Sequence, residues 1–232
     1  MSPAEAHQPF DVTDQYFNAT PTSRSRPTQI QLVLPDLHLG LTTDRGVFSA
    51  DRVDAGTKAL LLDGPPLPSG PCNILDLGAG YGPIAITLAK RAPHAIVWAI
   101  EVNERARALC LANAAAAGVA DRVHAVAPDG VPSGLAFAQV WTNPPIRIGK
   151  PALHDLLDTW LGRLAPDGSA ALVVQRHLGA DSLARWLTDR GWVVRRRASN
   201  GGYRLLDVVR TGDGGASPSS PPRAATAKEA SR

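Results

Sequence analysis

Short apolar segments alternate with helical stripes of apolar residues through most of this chain. Five segments are dominated by apolar residues and are short enough for buried strands, at residues 73–77, 95–100, 123–126, 135–141 and 170–174. Residues 84–91 and 104–117 have the composition of helices, and leucines recur at helical spacing across 153–164. Strands that alternate with helices in this way predict an α/β fold, with a mostly parallel sheet and helices on both faces.

The two ends of this region have the period-2 alternation of antiparallel strands. Residues 30–34 and 37–41, separated by Pro35-Asp36, predict a small N-terminal β-hairpin. Residues 192–194 and 203–209 predict an antiparallel C-terminal hairpin, which would complete a seven-stranded main sheet. A helix is expected before that hairpin, around Leu183 and Leu187.

Composition indicates a single domain with polar ends. The chain has 232 residues, and its 44% hydrophobic content is enough for one core. We expect the domain at residues 15–211, after a flexible segment at 1–14. The Gly-, Ser-, Pro- and Ala-rich tail at 212–232 is expected to be disordered, because it cannot bury enough apolar surface to order itself.

Charge and cysteine content narrow the class of protein. A net charge of +3 permits an RNA or DNA partner without requiring one. Cys72 and Cys110 are too few and too scattered for a disulfide framework or a metal site, and no metal is expected. There is no apolar run as long as a membrane span and no secretory signal at the first residues. We therefore expect a cytoplasmic protein.

A glycine-rich loop follows the first strand of the predicted sheet. Asp76 precedes Gly78 and Gly80, and Pro83 occupies the position where a dinucleotide fingerprint requires its third glycine. An acidic residue before the loop would repel a pyrophosphate, so a ligand with a cationic end fits better. Glu101, at the end of the second strand, is placed to accept both hydroxyls of a ribose. The alternative is that Glu101 caps the next helix or is solvated.

Asn143-Pro144-Pro145-Ile146 ends the fourth predicted strand. A residue before proline is held extended, so the Asn143 side chain would be fixed at the edge of the sheet. The Asn143 oxygen and the Pro144 carbonyl are two converging acceptors. Such a pair can hold an NH2 group, which indicates chemistry on a planar amine.

These motifs resemble those of class I S-adenosylmethionine (SAM) methyltransferases. Residues 76–82 resemble motif I of that class, and residues 143–146 resemble its amino-methyltransferase motif. Within the class, the chain is similar to the methyltransferase small domain family, which includes bacterial 16S rRNA guanine-N2 methyltransferases. The similarity runs from about residue 16 to 209 and includes residues 43–49, 143–150 and 174–180. It implies a Rossmann-like fold and SAM as cofactor. Some members carry a second, degenerate N-terminal domain, for which this chain is too short.

The resemblance assigns roles on the cofactor side. Asp76 would meet the methionine amino group of SAM, Gly78 and Gly80 would lie behind its methionine and ribose, and Glu101 would bind the ribose hydroxyls. Asp129 would accept from the adenine amino group, although a simple Asp-Gly turn is the alternative. Asn143 is expected beside the cofactor as well as at the target amine.

It also assigns roles on the substrate side. Asn143 and Pro144 would each accept one N–H of the amine, which turns its lone pair toward the methyl group. Pro145 and Ile146 would contact the base, and Ile146 departs from the aromatic residue found in many members. Arg147 and Lys150 would contact phosphates, or are ordinary solvated charges. The run Arg195-Arg196-Arg197 is expected first as a solvated face and second as an RNA contact.

One further aromatic residue is a candidate for the site. Phe48, in the segment 43–49, would form a wall of the SAM or base pocket, or would lie in the core.

The implied function is SAM-dependent methylation of the exocyclic N2 amine of a guanine in 16S rRNA. Naked rRNA or the 30S subunit would be the partner of a monomer or a weak homo-oligomer. Three alternatives stay open: methylation of protein glutamine-N5, methylation of a small-molecule amine, and a non-enzymatic RNA-binding or assembly module with a SAM fold. The glutamine motif usually continues with Tyr, so Ile146 and the basic charge favour rRNA.

Overall fold

The computed structural model describes residues 23–211. The segments expected to be flexible (1–14) and disordered (212–232) lie outside the described residues, as do the first residues of the expected domain. In the described part of the chain, no helix has the length and apolar character needed to cross a bilayer.

The strands form one large sheet and one separate hairpin. The hairpin pairs β1 (Thr28–Val33) with β2 (His38–Thr43) in antiparallel register. The large sheet contains β3 (Cys72–Leu77), β4 (Ala95–Ile100), β5 (Val123–Val126), β6 (Phe137–Thr142), β7 (Leu164–Gln175), β8 (Trp192–Asn200) and β9 (Tyr203–Arg210). Its order is β5-β4-β3-β6-β7-β9-β8, parallel from β5 to β7 and antiparallel for β9 and β8. The predicted seven-stranded, mostly parallel sheet and both hairpins are confirmed.

Five helices accompany the strands in the described residues. They are α1 (Ala55–Asp63), α2 (Pro83–Arg91), α3 (Glu104–Ala116), α4 (Lys150–Leu161) and α5 (Ala180–Asp189). Polar side chains cap the N-termini of two of them. Asp54 accepts from the Gly56 and Thr57 backbone N–H groups of α1, and Asn103 accepts from the Ala106 backbone N–H of α3. Proline occupies the first turn of α2 and of α4, where a missing N–H costs nothing.

Strand β7 is longer than the sequence pattern predicts. The apolar run covered only 170–174, whereas the strand extends from Leu164 to Gln175. Asp167 and Gly168 interrupt the apolar pattern, and the pairing with β6 is irregular there, since Phe137 pairs with Leu164 but Gln139 pairs with Ser169. The polar residues therefore mark an irregularity inside the strand and not its start.

The core has two layers because consecutive strand residues point to opposite faces of the sheet. Ile74 belongs to the cluster that contains residues of α1, α2, α3 and the β1–β2 hairpin. Its neighbour Leu75 belongs to the cluster on the other face, with residues of α4 and α5. Helices thus cover both faces, as the alternation of strands and helices predicted.

One buried side chain links the small hairpin to the glycine loop of the main domain. The Asn113 side chain, on α3, accepts from the Thr42 backbone N–H at 2.7 Å and donates to the Thr42 carbonyl at 2.8 Å. It also donates to the Tyr81 carbonyl in the glycine loop, at 2.9 Å. The hairpin and the loop after β3 therefore share one anchor.

We predict that Asn113→Ala destabilises the fold by on the order of 1–3 kcal/mol, because it leaves buried backbone groups without partners. The measurement is the free energy of unfolding in urea. The matched control is Gln29→Ala, which removes an exposed hydrogen bond to the Thr42 hydroxyl and should cost within about 0.5 kcal/mol. Equal stability of the two variants would contradict the anchoring role.

Candidate active site

Three neighbouring cavities lie across the carboxyl ends of the parallel strands, where ligands bind in open α/β sheets. The amine cavity, of about 300 Å³, is lined by Phe48, Ser49, Asp54, Asn143, Pro144, Ile146, Arg147, Gln175, Leu178 and Tyr203. The glycine-loop cavity, of about 20 Å³, shares Phe48, Ser49, Asp54 and Asn143 with it and is also lined by Gly78 and Gly80. The apolar cavity, of about 400 Å³, includes Gly78, Glu101, Pro128, Pro145, Leu156 and Trp160. The amine cavity and the glycine-loop cavity adjoin at these shared residues, and the glycine-loop cavity and the apolar cavity adjoin at Gly78. The three cavities together are called the groove.

The glycine loop exposes its backbone to this groove. Gly78 and Gly80 have φ angles of 78° and 57°, a backbone conformation that residues with a side chain rarely adopt. A Cβ atom on either glycine would meet no other atom within 4 Å. Open space in front of two glycines is the arrangement expected where a ligand lies against the backbone.

A buried carboxylate lies beneath the loop. Asp76 is completely buried in β3, and its Oδ2 accepts from the Ala85 backbone N–H at 2.9 Å. Its Oδ1 has no hydrogen-bond partner within residues 23–211. Burial raises the pKa of Asp76 to about 8. A negative charge here would be stabilised by a cationic group over the loop, which agrees with the expected ligand with a cationic end.

Glu101 joins the end of β4 to the glycine loop. Its Oε2 accepts from the Gly80 backbone N–H and its Oε1 from the Asn103 backbone N–H, both at 2.9 Å. The cap of α3 is Asn103 itself, so Glu101 is not the capping residue. Each carboxylate oxygen has a second lone pair, so Glu101 can still accept hydroxyl hydrogens in the cavity that it lines.

The amide of Asn143 is held through its nitrogen. Nδ2 donates to Asp54 Oδ2 at 2.8 Å and to Thr57 Oγ1 at 3.0 Å. These two bonds use both amide hydrogens, so the carbonyl oxygen Oδ1 is the atom that can still accept a hydrogen bond. Asn143 lines the amine cavity. This is the orientation that amine recognition requires.

Asp54 positions Asn143, and the sequence analysis did not identify this role. Its Oδ2 accepts from the Gly56 and Thr57 backbone N–H groups, at 2.8 and 3.1 Å, as well as from Asn143. The only sequence signal was an acidic residue before a helix, which indicates a cap. Nothing local connects it with an asparagine 89 positions away.

The Pro144 carbonyl oxygen, the second expected acceptor, already accepts one hydrogen bond within the protein. The Pro144 carbonyl accepts from the Ile146 backbone N–H at 2.8 Å, in the turn that follows β6. A carbonyl oxygen has two lone pairs, so one remains for a ligand. Ile146 lines the amine cavity, whereas Pro145 lines the apolar cavity on the cofactor side of the groove.

The remaining predicted residues are divided between the groove and the surface. Phe48 is 38% exposed and lines two cavities, so it is not a core residue. Arg147 lines the amine cavity. Asp129 is exposed in a short turn beside Pro128, and Lys150 is exposed at the start of α4; neither lines the three cavities.

Several residues of the amine cavity were not expected from the sequence. Gln175, Leu178 and Tyr203 come from the end of β7, the turn after it and the start of β9. For Gln175 and Leu178 the only sequence signal was the similarity at residues 174–180, which pointed to the segment and not to the side chains. Tyr203 was expected only as part of the strand at 203–209. No group of three or more His, Cys, Asp or Glu side chains suited to a metal occurs in the part of the chain that is described.

We predict that the ligand-free protein becomes less stable as pH rises from about 5 to 8. The pKa of Asp76 is raised to about 8 in the folded state, against about 3.9 in an unfolded chain. The folded state therefore binds more protons in this window, and stability is lost as pH rises through the folded pKa. Burial raises the pKa of Glu101 as well.

Thermal melts between pH 5 and 8 test this prediction. Asp76→Asn removes one raised pKa, so its melting temperature should depend less steeply on pH than that of the wild type. Asp167→Asn, which changes an exposed carboxylate in β7, should follow the wild type. Parallel curves for the wild type and Asp76→Asn would show that Asp76 does not titrate in this range.

Comparison with known proteins identifies the family. Residues 38–207 match the model of the methyltransferase small domain. The chain is 34% identical over 205 residues to "Uncharacterized protein YbxB" of Bacillus subtilis, covering 86% of this chain and 100% of that one. It is 35% identical over 194 residues to ribosomal RNA small subunit methyltransferase C of Pseudomonas syringae pv. tomato, covering 82% of this chain and 56% of that one. The chain spans about half the length of the curated rRNA methyltransferases that it matches.

Solved structures agree on the fold. The 16S rRNA N2 G1207 methyltransferase of T. thermophilus, in complex with AdoMet and guanosine, superimposes with a TM-score of 0.69 at 21% identity. The superposition covers 82% of this chain and 52% of the T. thermophilus chain. The ribosomal protein L11 methylase of Lactobacillus delbrueckii gives a TM-score of 0.51 at 22% identity, covering 61% and 71%. The fold is thus shared by methyltransferases named for RNA and for protein substrates, and this chain belongs to the methyltransferase small domain family.

Proposed function

We propose that this protein is a SAM-dependent N-methyltransferase that acts on the exocyclic N2 amine of a guanine in 16S rRNA. The observation that carries the proposal is the anchored amide of Asn143. Its nitrogen is held by Asp54 and Thr57, and its oxygen is available where the amine cavity meets the glycine-loop cavity.

The residues of the groove fit SAM. Bound SAM would supply a methyl group already activated by its sulfonium. Gly78 and Gly80 offer bare backbone for its methionine part, and the buried Asp76 beneath the loop would be ionised when the cationic amino group of SAM lies over it. Glu101 would accept from the ribose hydroxyls, and the apolar cavity suits an adenine ring. Asp129 remains a predicted contact for the adenine amino group, since it lies exposed beside Pro128 at the edge of that cavity.

The chemistry at the amine is a matter of orientation. A guanine amine is a poor nucleophile because its lone pair is delocalised into the ring. If Asn143 Oδ1 and the Pro144 carbonyl each accept one N–H, the face of the amine that carries the lone pair, perpendicular to the ring plane, points toward the cofactor, and the pyramidal form of the nitrogen is favoured. The methylated nitrogen would then release one of its two protons to solvent. Holding reactants in this way can contribute up to about 7–11 kcal/mol. The activated methyl group makes a strong base unnecessary.

The walls of the amine cavity suit a planar base. Phe48, Ile146 and Leu178 give it apolar surface, and Phe48 supplies an aromatic ring within the same cavity. Stacking on an aromatic side chain is worth about 1–3 kcal/mol per base. The aliphatic Ile146 in the amine motif therefore does not leave the cavity without a stacking surface.

Methyl transfer from tritiated SAM tests the proposal. The wild-type protein is incubated in parallel with naked rRNA, assembled 30S subunits and a cell protein extract. We expect label in 16S rRNA, and N2-methylguanosine after digestion to nucleosides. Label only in protein would contradict the rRNA substrate. Measurable SAM binding without label in any sample would favour a non-enzymatic module.

We predict that Asn143→Ala leaves SAM affinity nearly unchanged and lowers turnover on the order of 10²–10³-fold, because the variant lacks one preorganised acceptor at the reacting group. Single-turnover rates and SAM titration measure the two effects. Asn73→Ala is the matched control, since Asn73 accepts from Trp98 near the opposite end of β3. Wild-type turnover in Asn143→Ala would refute the mechanism.

A further inference from the structure

A basic cavity lies beside the amine cavity, at the tip of the β8–β9 hairpin. This hairpin cavity, of about 360 Å³, is formed by Arg176, Arg196, Arg204, Tyr203 and the turn at residues 199–202. It is separate from the groove of the proposed reaction, except that Tyr203 lines both the hairpin cavity and the amine cavity.

The pairing of β7 and β9 makes the two cavities neighbours. Gln175 pairs with Tyr203 in register, and Gln175 lines the amine cavity while the next residue, Arg176, lines the hairpin cavity. The Arg176 backbone N–H donates to the Gly202 carbonyl at 2.8 Å, which fixes the turn beside Arg176. A ligand that fills both cavities would pass directly over Tyr203.

The charge of the hairpin cavity is positive. Arg204 forms an ion pair with Asp181, and Arg196 lies 3.7 Å from the same carboxylate. The guanidinium of Arg176 has no acidic partner within residues 23–211. Arg196 and Arg204 therefore share one carboxylate, Arg176 has none, and both Arg196 and Arg176 are exposed to solvent.

The other two arginines of the predicted run do not contribute to this cavity. Arg197 donates twice to Asp207, at 2.8 and 2.9 Å, which neutralises it. Arg195 does not line the cavity. Of the three arginines in the run, only the middle one, Arg196, lines the cavity.

The turn itself leaves room for a bulky polyanion. Gly201 and Gly202 have φ angles of 54° and 86°, as in a two-residue hairpin loop. A Cβ on either glycine would meet no atom within 4 Å, so the tip is open on that side.

We propose that the hairpin cavity binds phosphate groups of the single-stranded RNA backbone next to the target nucleotide. The proposal rests on the proposed function, in which the base occupies the amine cavity. When a base enters a pocket, its sugar and the flanking phosphates stay outside, and the adjoining cavity here offers the guanidinium groups that bind phosphate in bidentate fashion. Such contacts position the strand and leave the choice of base to the amine cavity.

The test compares two double variants in which the same amount of positive charge is removed. Arg176→Gln with Arg196→Gln removes the two exposed guanidinium groups of the cavity, while Arg204 is left intact to preserve its ion pair. Arg185→Gln with Arg195→Gln is the matched control, since both residues are exposed and lie outside the cavity. Affinity for a fluorescent 16S rRNA fragment is measured by anisotropy from about 50 to about 200 mM salt.

We expect the cavity variant to bind RNA on the order of tenfold more weakly than the wild type and the control. The slope of log affinity against log salt concentration should be less negative by about 1.4. This is about 0.7 for each of the two phosphates that the variant no longer neutralises. SAM affinity should match the wild type, because neither arginine lines the glycine-loop cavity or the apolar cavity.

Other results overturn the proposal in distinguishable ways. Equal salt slopes in the two double variants, with rRNA methylation intact in the wild type, would exclude the hairpin cavity and leave the proposed function standing. If the wild type methylates only protein, both proposals fail.

Discussion

The active-site groove depends on one carboxylate oxygen, Asp54 Oδ2. It accepts from the Gly56 and Thr57 N–H groups in the first turn of α1 and from the amide of Asn143. Without it, the start of α1 would lose its cap, and the Asn143 amide would be free to turn its nitrogen toward the cavity. A donor in that position would compete with an amine. The same hydrogen bonds that begin a helix thus decide which atom of Asn143 is available for chemistry.

The cofactor half of the groove is held by a similar arrangement. Glu101 accepts from Gly80 on one oxygen and from Asn103 on the other, so it fixes the glycine loop relative to the start of α3. Asp76 beneath the loop is buried with one oxygen unpaired within residues 23–211, which lowers the stability of the ligand-free fold at neutral pH. That cost is understandable only at a place where a ligand supplies the missing interaction.

The sequence was sufficient for the parts of the structure that depend on local patterns. The alternation of apolar runs predicted the sheet, and the loop after Asp76 and the motif at Asn143 both lie at the edge of the sheet where the cavities occur. The role of Asp54 was not predictable, because it arises from a contact between residues 89 positions apart. Tyr203 reaches the cavity through the antiparallel pairing of β7 with β9, and Leu178 through the turn that follows β7. No local pattern encodes either placement. The first half of β7 was missed because Asp167 and Gly168 interrupt its apolar run.

The β8–β9 hairpin and Asn143 are connected through Tyr203. A Cβ on Gly56 would lie 2.7 Å from the Tyr203 ring, so the ring packs against the first turn of α1 and requires glycine there. Desolvation and the nearby Asp54 carboxylate both raise the pKa of the Tyr203 hydroxyl. A ligand that orders the hairpin tip would therefore also restrict Tyr203, and through Gly56 the turn that holds Asn143. If the hairpin cavity binds the RNA backbone as proposed, this packing would be a physical route by which that contact favours the orientation of the Asn143 amide.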